Sequence, residues 1–439
     1  MLDDQQSYAR LAPWVERANP LVPFGASIAL WALALRTRRS KWIWLAPLLC
    51  CYYLAFTGAA YWPSSVGLDS FWGLLISIWA SHSLSVLFLE DPTFLVYGKG
   101  VFEQQTWGWR FWSVWNNPRL LGTSRAAESH PPSSSSAPPS SPAAAVASLK
   151  QHPSSRTGFA VRCVVQMLIS WSVTTYVQPR LLPGQFVPLC VQDFDATRQT
   201  FIRRLPATFW NQQRQPQQPI ITVRELGLRV VMAFFWALPP YLTLNAAYYA
   251  LAFIFVVLLR ADRPHQWPPL YGDLRKAHSL RGFWGRFWHR LVVIPYGNVG
   301  KLLAERCLSL GPTTVTPAAG STSVYYKAVV ACSVFVLSGV VHAAVAWQLG
   351  DRCCWHLDIA WFFLNFVACT VESVCFPAPR KAGGGPPDRA PQCPERFLGK
   401  GLGFAWTFFF FFWSVPKWQY PKLHAAFLEL STAEMNPQD

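Results

Sequence analysis

"WIWLAPLLCCYYLAFTGAAYW", residues 42–62, carries no charged side chain over 21 positions. About 20 apolar residues in a helix suffice to cross a bilayer core. A backbone in lipid satisfies its own N–H and C=O groups only as a helix or as a closed barrel, and barrel strands alternate polar with apolar. This run does not alternate, so it reads as a transmembrane helix. Similar charge-free runs lie at 70–89, 230–259 and 328–350. Shorter apolar runs occupy 21–35, 163–177, 359–371 and 402–416, the last with five consecutive phenylalanines at 408–412. Segment 230–259 reads as one tilted helix or as two helices broken near Pro239-Pro240. The expected fold class is an all-α polytopic membrane protein with about 8–9 transmembrane helices.

Composition agrees. Of 439 residues, 52% are hydrophobic and 14% charged, against about a quarter charged in an average soluble domain. The first ten residues, MLDDQQSYAR, are polar and hold two Asp, so a cleavable signal peptide is not expected and the first apolar segment serves as a signal anchor. The net charge of +16 fits basic cytoplasmic loops, anionic headgroups and anionic substrates better than nucleic acid. Arg36, Arg38, Arg39 and Lys41 place the first short loop in the cytoplasm. The 11 cysteines include two adjacent pairs, Cys50-Cys51 and Cys353-Cys354. They show neither a secreted disulfide framework nor zinc-type spacing, and read mainly as small buried hydrophobes. No metal site is expected.

The organisation is an N-terminal transmembrane region of about three spans (1–122), a disordered Ser/Pro-rich loop (123–157), and a transmembrane core (158–439). Further breaks fall at 308–323 and at the Gly/Pro-rich 377–397. Segment 179–225, with Asp193, Asp195 and several Arg, reads as a soluble excursion or an interfacial helix. No internal repeat is present, which counts against an inverted-repeat transporter. The fragment QDFDATRQ (192–199) has no second copy, so a paired-magnesium prenyltransferase site is not expected.

Ionisable residues inside spans are costly and point to function. The spans hold His82, Arg162, His342 and Asp358. His342 lies deep in a charge-free run, in VFVLSGVVHAAVAW (334–347), where small neighbours allow close helix packing or room for a ligand. A buried histidine is neutral near pH 7 and can take a proton when substrate arrives. His82 lacks small neighbours and reads as a packing residue. The stretch RGFWGRFWHR (281–290) reads as an interfacial amphipathic helix. At 100° per residue Phe283, Trp284, Phe287 and Trp288 share one side, while Gly282, Gly285, Arg286 and His289 share the other as an open groove. Arg275, Lys276 and Arg281 add cations suited to a polyphosphate such as the nucleotide part of coenzyme A. Two histidines and a cationic groove, without a GxSxG nucleophile elbow, suggest acyl transfer by direct attack of an alcohol.

WPPLYGDLRKAHSLRGFWGRFWHR (267–290), followed by FVLSGVVHA (335–343), resembles the wax synthase-like branch of the membrane-bound O-acyltransferase superfamily. The resemblance covers roughly residues 225–420; the N-terminal third agrees only in hydropathy. It implies a multi-helix fold with a central tunnel, in which acyl-CoA enters from the cytosolic side and a lipophilic alcohol from the bilayer. It also implies that His342 is the general base and that His289 stands where many relatives carry Asn, orienting or polarising the thioester. Trp284, Arg286 and Trp288, with Arg281 and Arg290, would then form the acyl-CoA site. The His form resembles fungal relatives that acetylate terpenoid or meroterpenoid alcohols. The expectation is therefore an enzyme of the endoplasmic reticulum membrane that uses acetyl-CoA as co-substrate and holds no bound cofactor. A wax-ester synthase acting on fatty alcohols and a multi-pass transporter are the alternatives.

Overall fold

The computed structural model describes residues 19–37, 40–63, 67–90, 107–121, 155–181, 189–210, 220–310, 324–376 and 394–435. Among these every regular element is helical, as continuous apolar runs demand in lipid. The first helix, α1 (Leu21–Arg36), is apolar but only 16 residues long. Six helices are long and apolar enough to cross a membrane. They include α2 (Lys41–Tyr61), α3 (Leu68–Leu89), α4 (Arg156–Leu181) and α5 (Val223–Leu258). After α6 (Val293–Leu302) come the other two, α7 (Val324–Gln348) and α8 (His356–Cys375). The last helix, α9, runs 42 residues from Pro394 to Met435 and holds the apolar 402–416 segment. The chain is thus an integral membrane protein, helical throughout its regular elements among the described residues. The Ser/Pro-rich loop expected at 123–157 lies almost wholly outside the described residues, as do the N-terminal 18 and most of 308–323 and 377–397.

Of the two readings of 230–259, the broken helix holds. Helix runs over Val223–Phe235 and again over Leu238–Ala252, with a turn at 236–237. Pro239 and Pro240 lack N–H groups and crowd the preceding turn, so the ladder gives way just before them.

The chain forms two compact units. One comprises Met1–Ser148 with Arg290–Val367, the other Leu149–His289 with Ala368–Asp439. The first unit buries Trp31, Tyr52, Trp72, Ile76 and Ile294 in one apolar core. Several of its polar groups are paired inside. Trp31 Nε1 donates to the Ser83 carbonyl (3.1 Å), Tyr52 donates to Ser83 Oγ (2.7 Å), and Trp72 Nε1 donates to the Ala55 carbonyl (2.8 Å). Asn298 Nδ2 donates to Ser85 Oγ and to Glu90 Oε1. His82 is buried with Nε2 2.8 Å from the Val114 carbonyl oxygen, which is the packing role expected of it. Gly300 lets α6 lie against α7, because a Cβ there would stand 2.8 Å from Val330 Cα.

The second unit packs α4 on α5 around Phe159, Cys163, Tyr249 and Val256, and Asn245 donates to Gln166 and Ser170. The described parts of segment 179–225 include short helices, among them Val191–Phe194 and Phe201–Trp210, that contribute to an ion network. Glu225 accepts two bonds from Arg204 (2.8 and 2.7 Å), one from Arg198 (3.0 Å) and one from Arg229 (3.3 Å). Arg204, Glu225 and Arg229 are all buried, and the Arg229 guanidinium lies 4.7 Å from the Phe201 ring centre. Asp193 pairs with Arg224 through two bonds (2.7 and 2.5 Å), and Asp195 accepts from the Thr197 N–H. Both carboxylates of QDFDATRQ are therefore structural.

Removing one partner of a buried ion pair strands the rest without compensation, at about 3–5 kcal/mol, whereas an exposed pair is worth about 0–1 kcal/mol. Glu225→Ala is expected to lower the melting temperature in detergent sharply. Arg275→Ala, at an exposed pair with Asp273, should leave it nearly unchanged. Hydrogen bonding from Arg224 holds the Asp193 carboxyl down at about 2, from an ordinary 3.8. A depressed carboxyl stabilises the fold above its unfolded pKa and loses that contribution as pH falls through its folded value. Acid titration of thermal stability should therefore show a loss between about pH 4 and 2 that Asp193→Asn removes; an identical profile in the variant would refute it.

Candidate active site

Ser279 opens the decisive turn by accepting from the Gly282 N–H (2.9 Å). Helix follows over Leu280–Gly282 and widens into a π-helical turn over Phe283–Phe287. It closes when Trp288 N–H donates to the Phe283 carbonyl (2.7 Å). Trp288 is extended, so the helix ends before His289. The expected ten-residue amphipathic helix is thus a short turn with a different division of faces. Phe283 and Trp288 stack, with ring centres 5.4 Å apart. Both are buried, and with Trp284 and Phe411 they surround Trp236 at 4.9–5.9 Å. Trp236 itself sits at the break in α5.

The glycine of the turn does not open a groove. A Cβ on Gly282 would meet the Lys276 carbonyl oxygen at 2.0 Å, so this glycine exists for close backbone approach. The upstream WPPLYG segment uses the same device. Gly272 N–H donates to the Phe287 carbonyl (2.8 Å), and a Cβ on Gly272 would stand 1.9 Å from the Arg286 carbonyl oxygen. The two halves of the sequence motif are one clasped object. Trp267 donates to Asp262 (2.9 Å) and Tyr248 donates to the Pro268 carbonyl, tying the loop down onto α5. From α8, Glu372 accepts from the Arg281 N–H (3.1 Å) at the start of the turn.

Several predicted residues share this turn. Arg286 is exposed, His289 is half-buried, and Trp284 is half-buried beside Trp236. Arg281 donates its guanidinium to the Phe376 carbonyl (2.8 Å), so it anchors the turn. Tyr271 was not anticipated. It is buried, its ring centre lies 6.0 Å from that of His289, and its hydroxyl has no hydrogen-bond partner among the described residues. Burial pushes its phenol well above the ordinary range, which keeps it a neutral donor. Its only sequence signal was an aromatic next to the motif glycine.

Arg290 and His342 belong to the other unit. His342 lies in α7 and is half-buried. Its ring stacks on Phe362 of α8 with centres 5.0 Å apart and planes 24° apart, a contact worth about 0.5–1.5 kcal/mol. Gly339, one turn earlier, lets α8 approach, because a Cβ there would stand 2.8 Å from Ile359 Cα. Asp358, on the same stretch of α8, is buried. The small residues of SGVVHA thus serve helix contact on one side of the imidazole.

Residues 267–365 match the model of the membrane bound O-acyl transferase family. That stretch contains both the clasped turn and the SGVVHA segment of α7. Among curated proteins the chain is similar to acetyltransferase ple2 of Rhodocybe pseudopiperita, 30% identical over 37% of this chain and 38% of that one. It is also similar to acetyltransferase nanB of Aspergillus nanangensis, 31% identical over 40% and 38% of the two chains. Acetyltransferase ataH of Aspergillus terreus is 27% identical over 40% and 52%. The similarity therefore spans between about two-fifths and half of these relatives' lengths. No solved structure matches.

The close approach at Gly272 predicts that Gly272→Ala disrupts the clasp. Folded yield and thermal stability in detergent should fall well below those of Gly25→Ala, where a Cβ meets nothing within 4 Å. Equal behaviour of the two variants would show that the clasp carries no strain-free requirement for glycine.

Proposed function

We propose that the protein is a membrane-bound O-acyltransferase that moves an acetyl group from acetyl-CoA to the hydroxyl of a lipophilic alcohol. The acceptor is a terpenoid or meroterpenoid of secondary metabolism, and the enzyme works in the endoplasmic reticulum membrane. The observation that carries this reading is that one matched stretch, 267–365, holds both motif segments; the curated proteins to which the chain is similar are named acetyltransferases.

In this reading His342 accepts the proton of the alcohol as its oxygen attacks the thioester carbonyl. The carbonyl becomes an oxyanion, which His289 stabilises by donating a hydrogen bond. Collapse breaks the C–S bond, and His342 returns the proton to the departing CoA sulfur. Arg286, exposed on the clasped turn, meets the anionic part of the donor. Trp284 and Trp288 hold that turn in shape through Trp236.

The test is ester formation by membranes containing the protein, supplied with labelled acetyl-CoA or palmitoyl-CoA and a panel of terpenoid and fatty alcohols. Acetyl esters of terpenoid alcohols are expected to dominate; palmitoyl esters of fatty alcohols would point to a wax synthase instead. His342→Ala should lower kcat by about 10²–10⁴-fold with expression intact, and full activity would eliminate it as the base. His289→Asn should retain more activity than His289→Ala if the role is hydrogen bonding. Arg286→Glu should raise KM for acetyl-CoA with little change in kcat.

A further inference from the structure

The turn between α7 and α8 brings two thiols together. Gly350 adopts a positive φ of 106°, and Asp351 Oδ1 accepts from the Cys354 N–H at 2.8 Å. Cys353 Sγ and Cys354 Sγ then stand 2.6 Å apart, well inside the separation of two unbonded sulfur atoms. Cys353 is exposed and Cys354 half-buried. The Arg352 guanidinium lies 4.3 Å from the Trp347 ring centre, and Trp347 meets Trp355 edge-on at 5.8 Å, so the turn is fastened at both ends. The other adjacent pair, Cys50-Cys51, lies within α2, where successive side chains diverge by about 100°. Adjacency in sequence alone does not bring sulfurs together; this turn does.

The side of the membrane follows from contacts within the same unit. The basic Arg36–Lys41 loop sets the start of α2 on the cytoplasmic side, so Thr57, near the end of α2, lies toward the opposite face. Gln348, the last residue of α7, donates to the Thr57 carbonyl at 2.9 Å. The Cys353-Cys354 turn therefore faces the non-cytoplasmic compartment, where disulfides form and persist.

We propose that Cys353 and Cys354 form a redox-modification site that closes to a disulfide between adjacent residues by exchange with a disulfide-bearing oxidant. One thiolate attacks the oxidant, releases one thiol and forms a mixed disulfide; the second thiolate attacks that bond and releases the other thiol. The protein loses two hydrogens, and the oxidant gains them as two thiols. Neighbouring Cα atoms are only about 3.8 Å apart, against about 4.4–6.8 Å for ordinary disulfides. The bridge is thus strained, exposed and readily reduced, which makes it a reversible modification of the turn joining α7 to α8. The site is independent of the acyl-transfer reading.

The test uses the full-length protein in sealed microsomes, quenched with N-ethylmaleimide, denatured and cut with chymotrypsin, followed by mass spectrometry of residues 348–355 (QLGDRCCW). The expected peptide carries no maleimide, is lighter than the dithiol by two hydrogens, and takes two maleimides after mild reduction. A membrane-impermeant reductant should act only after the microsomes are opened. In Cys354→Ser protein, oxidised glutathione should leave a glutathione adduct on Cys353. A doubly alkylated peptide before reduction would overturn the proposal, as would reduction in sealed vesicles. Asp351, Cys353 and Cys354 could also hold a metal ion. Protection from maleimide that is released by a chelator, with no loss of two hydrogens and with zinc bound to the protein, would overturn the disulfide in favour of a metal site.

Discussion

Inside a bilayer a backbone amide has no water to bond, so each departure from a continuous helix must be resolved by the protein itself. The folding problem for this chain is set by where helices stop. α3, α4 and α5 each contain or end in a wider turn, at Ser85–Leu89, Val173–Val177 and Phe253–Leu258. Such turns keep their amides bonded, five residues back, while redirecting the chain. The clasped segment at 279–288 is an extreme case. It has a single turn of helix, one wider turn, and then a backbone bond from Gly272 to Phe287 that no side chain could stand in for.

That bond explains the glycines. Gly272, Gly282 and Gly403 each face a carbonyl oxygen at a distance a Cβ would reduce to about 2 Å, namely those of Arg286, Lys276 and His278. These contacts fasten the loop before the turn, the turn itself and α9 into one rigid piece within their unit. In α7 and α8 the same physics acts between regular helices: Gly339 admits α8 to the face beside His342. Small residues in both motif segments are spent on backbone approach.

The spans were legible because they depend only on the run length of apolar side chains, a local property. The faces of RGFWGRFWHR were not, because a regular 100° rotation does not describe a chain that takes a wider turn and then stops at Phe287. The glycines looked like an open groove for the same reason: an absent side chain is visible in sequence, the carbonyl that fills its place is not. The Glu225 network was hidden differently. Its members are spread over 198–229 and its packing partners Phe412 and Tyr420 over α9. The available clue was Glu225 and Arg229 four residues apart at the edge of a long charge-free run, a placement that only a buried partner makes tolerable. Cysteine burial was not legible either: among the described residues Cys163 is buried, while five others are exposed.

The aromatic packing also decides how site variants are to be interpreted. Trp288 and Phe283 are buried against Trp236 and Phe411, so truncating Trp288 creates a cavity in the very cluster that holds the turn, at about 3–5 kcal/mol. A loss of activity there reports on the shape of the turn before it reports on donor binding. Arg286 differs, because its side chain is exposed while its carbonyl is held by the close approach of Gly272. Substituting the side chain leaves that backbone contact in place. The charge of Arg286, read from the sequence as contacting acyl-CoA, can be changed without dismantling the clasp, so under the proposed function its effect on KM separates recognition of the donor from construction of the site.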